Sequence, residues 1–287
     1  MKISDIIRSK NITLSCEVFP PKAWNELAHA KETVGRIAEL KPDFMSVTYG
    51  ATGGTRDTTV SVAAHVQEHG VTALAHLTCV GTDDVLLPKT LSELKAAGVE
   101  NVLALRGDLP ADPSFVLHKG LEHANDLAKK IKEYGDFCVG GACYPEGHPE
   151  SASLEKDIET LKYKVDAGCE FLTTQMFFDN DILYSFMYKL LKKQINVPVI
   201  AGIMPVTNAK QVKRITGISG NTLPPRYRMI AEKFEDDPGA MKQAGIAFAC
   251  EQIIDLIANG VRNIHIYTMN SPDVAGSIMS NLSEIVK

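Results

Sequence analysis

Short β-rich runs alternate with longer stretches of helical period along the whole chain. Eight such runs can be read, at 12–18, 44–49, 72–79, 101–105, 137–142, 171–177, 197–203 and 263–269. The intervening stretches are amphipathic. In the clearest, Leu154, Ile158, Leu161 and Val165 fall at steps of 4, 3 and 4, which places them on one helical face. This alternation is the signature of βα units around a parallel sheet, with the apolar face of each helix packed on it. Gly98, Gly168 and Gly260 each stand between a helical stretch and the next run, where a left-handed C-cap closes a helix. Eight parallel strands can form an open doubly wound sheet or a closed barrel. The count, the regular spacing and the lack of an edge-like terminal strand favour closure. The expected fold is therefore α/β, a (β/α)8 TIM barrel, with one domain over residues 1–287. The longest interruption, 216–238, reads as an elaborated βα loop, either a lid or inert padding.

Side chains two apart in a strand face the same side, so polar residues report which parity points into the barrel. Thr13, Ser15 and Glu17 share a parity, as do Ser46 and Thr48, His76 and Thr78, Thr173 and Gln175, and His265 and Tyr267. The opposite parity is almost wholly apolar. Polarity deepens toward the strand ends, at Glu17, Thr48, His76, Arg106 with Asp108, Tyr144, Gln175 and Tyr267. That end carries the active site in nearly all barrels of this kind. A buried carboxylate at Glu17 is costly without partners, and a site-facing position is where that cost is tolerated and the pKa is raised. The alternative is a charge capping a strand end in solvent, and periodicity leaves both open.

Composition narrows the classes. The 287 residues carry a formal charge of −5, with 45% hydrophobic and 23% charged residues, so a large core is available and no basic surface invites nucleic acid or an anionic membrane. No run of about 18 apolar residues and no apolar leader is present, which implies a cytoplasmic protein. The six cysteines show no metal-ligand or redox spacing and read as small buried hydrophobes; no metal site is expected. No GxGxxG follows a strand, since ThrGlyGly at 52–54 has the wrong spacing, and GxxxxGKS and GxSxG are absent. The residues by themselves describe a barrel enzyme with acidic and hydrogen-bonding groups around one mouth, without naming the reaction.

Nine strings at or near the run ends name it. They are GluValPheProPro at 17–21, SerValThrTyrGly at 46–50, HisLeuThrCys at 76–79, LeuArgGlyAspLeuPro at 105–110 and TyrProGluGlyHisProGlu at 144–150, then LysValAspAlaGly at 164–168, ThrGlnMetPhePheAsp at 174–179, GlyIleMetProVal at 202–206 and IleTyrThrMetAsn at 266–270. In this order the chain resembles the bacterial, catalytic-domain-only methylenetetrahydrofolate reductases. The resemblance implies a flavoprotein of one-carbon metabolism and methionine biosynthesis. FAD would pass a hydride from NADH or NADPH to 5,10-methylenetetrahydrofolate, giving 5-methyltetrahydrofolate by ping-pong kinetics.

Residue roles follow by the same resemblance. Glu17 matches the general acid that protonates N10 as the imidazolidine ring opens, and Asp108 the carboxylate between flavin and pterin. Gln175 and Gln211 match substrate contacts; a buried amide satisfied by neighbouring strands is the plain alternative for Gln175. The FAD positions are Thr48, His76, Leu105, Arg106, Gly107 and Asp108 on one side, and Ala142, Tyr144, His148, Asp157 and Lys164 on the other. Arg106 and Lys164 would meet the pyrophosphate, and Gly107 would allow close backbone approach to the ring. Cys16 and Val18, Tyr163 and Ile215 depart from the family pattern, and the last leaves the electron donor open. A homo-oligomer, or a hetero-oligomer in which a partner protein supplies electrons, is implied. The competing functions are a pterin-binding barrel methyltransferase and a flavin-carrying subunit of a larger redox complex.

Overall fold

Residues 1–50, 56–110, 112, 114–212 and 222–287 are described by the computed structural model of the chain. The β-rich runs become β1 (Thr13–Val18), β2 (Phe44–Val47), β3 (Thr72–Thr78), β4 (Asn101–Leu105), β5 (Cys138–Cys143), β6 (Cys169–Thr174), β7 (Val199–Ile203) and β8 (Asn263–Tyr267). All neighbours pair in parallel and in chain order, and β8 returns to pair with β1 through Glu17 opposite Tyr267, so the barrel is closed. A helix, α1 (Ile3–Ser9), precedes the barrel. Outside it lie α2 (Leu27–Ala38), α3 (Arg56–Glu68), α4 (Leu86–Ala96), α5 (Ala124–Tyr134), α6 (Leu154–Asp166), α7 (Asn180–Lys192), α8 (Pro225–Lys233), α9 (Pro238–Ala258) and α10 (Pro272–Leu282). Gly98, Gly168 and Gly260 end α4, α6 and α9 with φ of +74°, +108° and +87°, the left-handed closure expected of them.

The two strand parities build two different interiors. The outward parity packs on the helices, where Leu14, Val18, Met45, Val47, Ala75, Leu77 and Val102 join residues such as Val34, Val62, Leu91 and Leu127 in the main core. The inward parity begins apolar at the N-terminal mouth. There Phe44, Leu74, Leu103, Cys138, Phe171 and Ile200 meet Ile3, Ile6 and Ile7 of α1. Each of these isoleucines contributes about 2 kcal/mol through apolar burial, so α1 closes the bottom of the barrel as a stopper. Asn101 fixes it: its Oδ1 accepts the Ile3 N–H at 2.8 Å while its Nδ2 donates to the carbonyls of Met1 and Ala73, each at 3.1 Å. A Cβ on Gly140 would lie 2.3 Å from the Phe171 ring, so only glycine lets that ring fill the barrel floor.

Several strand ends move by one to three residues from the expected bounds, and the sixth strand and the long interruption depart for reasons of packing. The sixth strand ends at Thr174 rather than 177, because the two phenylalanines that prolong its apolar pattern pack on helices. Phe177 enters the main core and Phe178 stacks on Tyr227 of α8 with ring centroids 5.9 Å apart. In the long interruption, residues 216–221 lie outside the described residues, but its later part holds α8, an anchored helix. Tyr227 donates to the Val206 carbonyl at 2.8 Å and sits beside Phe248 of α9 at 4.2 Å. Pro224 caps α8 and Pro225 begins it, since a proline in the first turn lacks only an N–H the helix does not use.

Candidate active site

Above the apolar floor the inward parity turns polar, and its most buried members converge on one carboxylate. Glu17, near the end of β1, accepts a hydrogen bond from Ser46 Oγ of β2 at 3.3 Å. His76 Nε2 of β3 and His265 Nε2 of β8 each approach the same oxygen, Glu17 Oε2, to 3.7 Å. His265 also contacts Ser15 Oγ through Nδ1 at 2.7 Å and Ser46 Oγ through Nε2 at 3.1 Å. The Ser15 hydroxyl donates to the Ile264 carbonyl at 3.0 Å, which leaves its oxygen to accept from His265 Nδ1, while the Ser46 hydroxyl donates to Glu17. Phe44 stacks on His265 at 5.9 Å and Tyr267 meets it edge-on at 5.4 Å, so the imidazole is held on both sides.

This setting changes the expected electrostatics of Glu17. Burial pushes its carboxyl up. Contact with His265, the charges of His76 and His265 and the Ser46 hydroxyl outweigh that, so the carboxyl lies below the ordinary carboxylate value rather than above it. Burial dominates at His76, whose pKa falls from 6.5 to about 4 against the pull of Glu17. At neutral pH His76 is therefore uncharged, and its Nε2 is buried without a hydrogen-bond partner, as is Thr173 Oγ1 of β6. Each unmet group costs about 1–3 kcal/mol, a cost that a ligand offering hydrogen bonds inside the barrel would offset.

The same depressed histidine makes stability depend on pH. Between pH 6.5 and about 4 the unfolded chain takes up a proton that folded His76 refuses, so stability falls as pH drops through that window. Glu17 acts in the same direction at lower pH, where its lowered pKa makes protonation favour unfolding. Urea midpoints followed from pH 7 to pH 4 should show a loss on the order of 3 kcal/mol from His76, and His76→Gln should flatten that slope. An unchanged slope in the variant would remove His76 as its source.

The remaining expected residues lie at the ends of several strands, in the loops that follow them, or on α6 outside the barrel. Thr48 lies just past β2, and its backbone N–H donates to the Val18 carbonyl at 3.0 Å. Leu105 ends β4 and leads into Arg106, Gly107 with φ of +85°, and exposed Asp108. Asp108 and Asp157 both reinforce the rise in the Tyr144 pKa, which burial mainly causes. Tyr144 packs edge-on against His148 at 4.7 Å. Asp157, in the first turn of α6, accepts from the His148 N–H at 3.1 Å and from Ser151 Oγ at 3.3 Å, so it shapes the loop after β5. Lys164 reaches the end of β5 from the helix side, donating to the Ala142 carbonyl at 2.7 Å, with its pKa lowered by burial. Gln175 accepts from the Met176 N–H at 3.0 Å. Gln211 is half-buried past β7, and its backbone N–H donates to Asn208. Tyr163 is 59% exposed on α6, and Ile215 lies outside the described residues.

Sequence reasoning listed Ser15, Ser46 and His265 as inward but gave them no role; their period-2 spacing with Glu17 was the available signal. It missed Glu150 as a partner of Arg106. The guanidinium holds that carboxylate through two bonds of 2.5 and 2.8 Å, so in this state the cation assigned to a phosphate is paired within the protein. The polar end of the barrel thus offers a buried carboxylate with a hydroxyl donor on it, two unmet polar atoms, and an arginine that an internal carboxylate already holds.

Comparison with known proteins adds a second, independent line. A family model described as methylenetetrahydrofolate reductase matches residues 2–283. The chain is 34% identical over 272 residues to a 5,10-methylenetetrahydrofolate reductase of Pectobacterium carotovorum subsp. carotovorum, covering 94% of this chain and 90% of that one. It is also 34% identical to methylenetetrahydrofolate reductase (NADH) 1 of Arabidopsis thaliana, covering 99% of this chain and 50% of the plant protein. A solved structure described as an uncharacterized protein from Clostridium thermocellum that binds two copies of 5-methyl-5,6,7,8-tetrahydrofolic acid superposes with a TM-score of 0.68. Coverage is 99% of both chains and identity 15%, a likeness of fold.

Proposed function

This chain belongs to the methylenetetrahydrofolate reductase family, an oxidoreductase family of folate metabolism, and from that premise we propose the detailed reaction and the residues that carry it. The reaction is reduction of 5,10-methylenetetrahydrofolate to 5-methyltetrahydrofolate with a reduced nicotinamide as donor. The name of the Arabidopsis relative specifies NADH, which makes NADH the first donor to try. FAD, when bound, supplies a two-electron carrier that serves donor and folate in turn. Arg106, Gly107, Tyr144 and His148 would hold it beside β4 and β5, and His76 and Thr173 supply the unmet polar atoms on the inner wall.

The observation that carries this function is the placement of Glu17 among Ser46, His76 and His265 at the polar end of a sealed barrel. The side chain of Glu17 is 20% exposed in the open mouth. Covering the mouth removes that remaining water, which disfavours the charged form and moves the carboxyl upward, toward an acid able to protonate N10. The C–N10 bond then breaks with its electron pair passing to N10. Exposed Asp108 at the rim contributes negative charge where the opened ring becomes cationic.

The test is direct. Purified protein supplied with FAD should show a bound flavin band, bleach with NADH or NADPH, and recolour on adding methylenetetrahydrofolate. Absence of bound flavin removes the reductase chemistry. Bound flavin that no folate reoxidises leaves the chain as an electron-carrying subunit instead.

A further inference from the structure

The turn leaving β8 carries a strained backbone next to the candidate acid. Met269 and Asn270 stand in succession at φ of +51° and +53°, a left-handed pair without glycine. Among the described residues, the other non-glycine positions with positive φ, Lys41 and Gln194, are single residues just past the ends of α2 and α7. Consecutive residues persist in this conformation only where their surroundings impose it, and here the surroundings are the exit of β1.

Asn270 holds Phe19 from both sides of its peptide. Its Oδ1 accepts the Phe19 N–H at 2.9 Å and its Nδ2 donates to the Phe19 carbonyl at 2.8 Å. Turning the amide over would oppose like groups, so the orientation is fixed by its partners. Thr268, 1% exposed, donates from Oγ1 to the Glu17 carbonyl at 2.6 Å, and the same oxygen accepts the Asn270 N–H at 3.2 Å. The pair therefore grips the backbone at Glu17 and again two residues later, where β1 gives way to its loop.

We infer that Thr268 and Asn270 are positioning residues that set the direction of the Glu17 carboxyl. This rests on Glu17 being the acid of the folate step. Neither side chain needs to touch a substrate; each acts through the main chain that carries the carboxylate. A misplacement of about 1 Å at a reacting group costs on the order of a hundredfold in rate, whereas reduction of the flavin by the donor requires no proton from Glu17.

The two half-reactions separate this role from simple loop stability. Asn270→Gly keeps the left-handed backbone without strain and removes both bonds to Phe19. Thr268→Val keeps the shape and removes the hydroxyl, while Thr268→Ser restores it. Stopped-flow measurement on the FAD-loaded full chain should show folate-dependent reoxidation slowed roughly tenfold to a hundredfold in the Gly and Val variants, with an altered pH profile. Reduction by the donor should stay within about twofold, and Thr268→Ser should match wild type. Equal loss of both half-reactions, or a fall in melting temperature with both rates intact, overturns the inference. If Asn270→Gly does not fold, Asn270→Asp, which keeps only the bond from the Phe19 N–H, is read by the same criterion. Failure of the acid assignment is seen separately, as Glu17→Gln leaving folate reoxidation unchanged.

Discussion

Glu17→Gln should keep bound flavin, keep its reduction by the donor, and slow reduction of methylenetetrahydrofolate by roughly 10²- to 10⁴-fold, the usual worth of a positioned general acid. The substitution is nearly isosteric. Glutamine can still accept from Ser46 Oγ, so the ring of contacts with His265 and His76 has little reason to collapse. What disappears is the transferable proton. Rapid-mixing assays of each half-reaction provide the measurement, and equal slowing of both would recast Glu17 as a structural residue. Its carboxyl is held below the ordinary value in the open barrel, so acid chemistry depends on the desolvation that accompanies closure of the mouth.

Gly202→Ala should lower stability by about 2–5 kcal/mol and slow folate reduction with it. A Cβ at this inward position of β7 would lie 2.5 Å from Tyr267 Oη and 2.6 Å from the Thr174 carbonyl. The carbonyl is backbone, and the Gly202 N–H already donates to Thr174 Oγ1 at 2.8 Å, so the strand cannot slide away cheaply. Tyr267 would have to leave, giving up its 2.5 Å bond to the Thr174 carbonyl. Burial and the nearby Glu17 charge hold that phenol far above its ordinary pKa, so it is a neutral donor and pays the full cost of an unmet hydroxyl. Its ring also braces His265, which carries the disturbance to the carboxylate. Urea unfolding together with folate turnover tests this, and a variant with a wild-type midpoint would show that the floor of the site is softer than its packing implies.

Much of this was legible because a strand has a period of two. The alternation that put Ser15, Glu17, Ser46, His76 and His265 on one parity is the alternation that makes them converge, and the glycines at 98, 168 and 260 marked helix ends through a backbone rule. What stayed hidden depends on contacts distant in the chain. Ile3, Ile6 and Ile7 have no assignment from the local pattern, and only the packing of Phe44, Leu103 and Phe171 around them shows what they do. The partnership of Arg106 with Glu150 joins two loops, and nothing local announces it. The direction of the Glu17 shift hinges on an imidazole from the last strand, so burial alone, the only quantity a sequence pattern suggests, points the wrong way. α8 was missed because 216–238 was read as one elaborated loop, whereas Pro225 sits in the first turn of a helix within it.

The stopper formed by α1 has a kinetic corollary. With Ile3, Ile6 and Ile7 packed against Phe44, Leu103 and Phe171, the inward polar groups are left a single doorway to water. Whatever reaches the Glu17 carboxyl, a proton included, therefore enters and departs at the far end of the barrel, and anything lodged there isolates the acid from solvent.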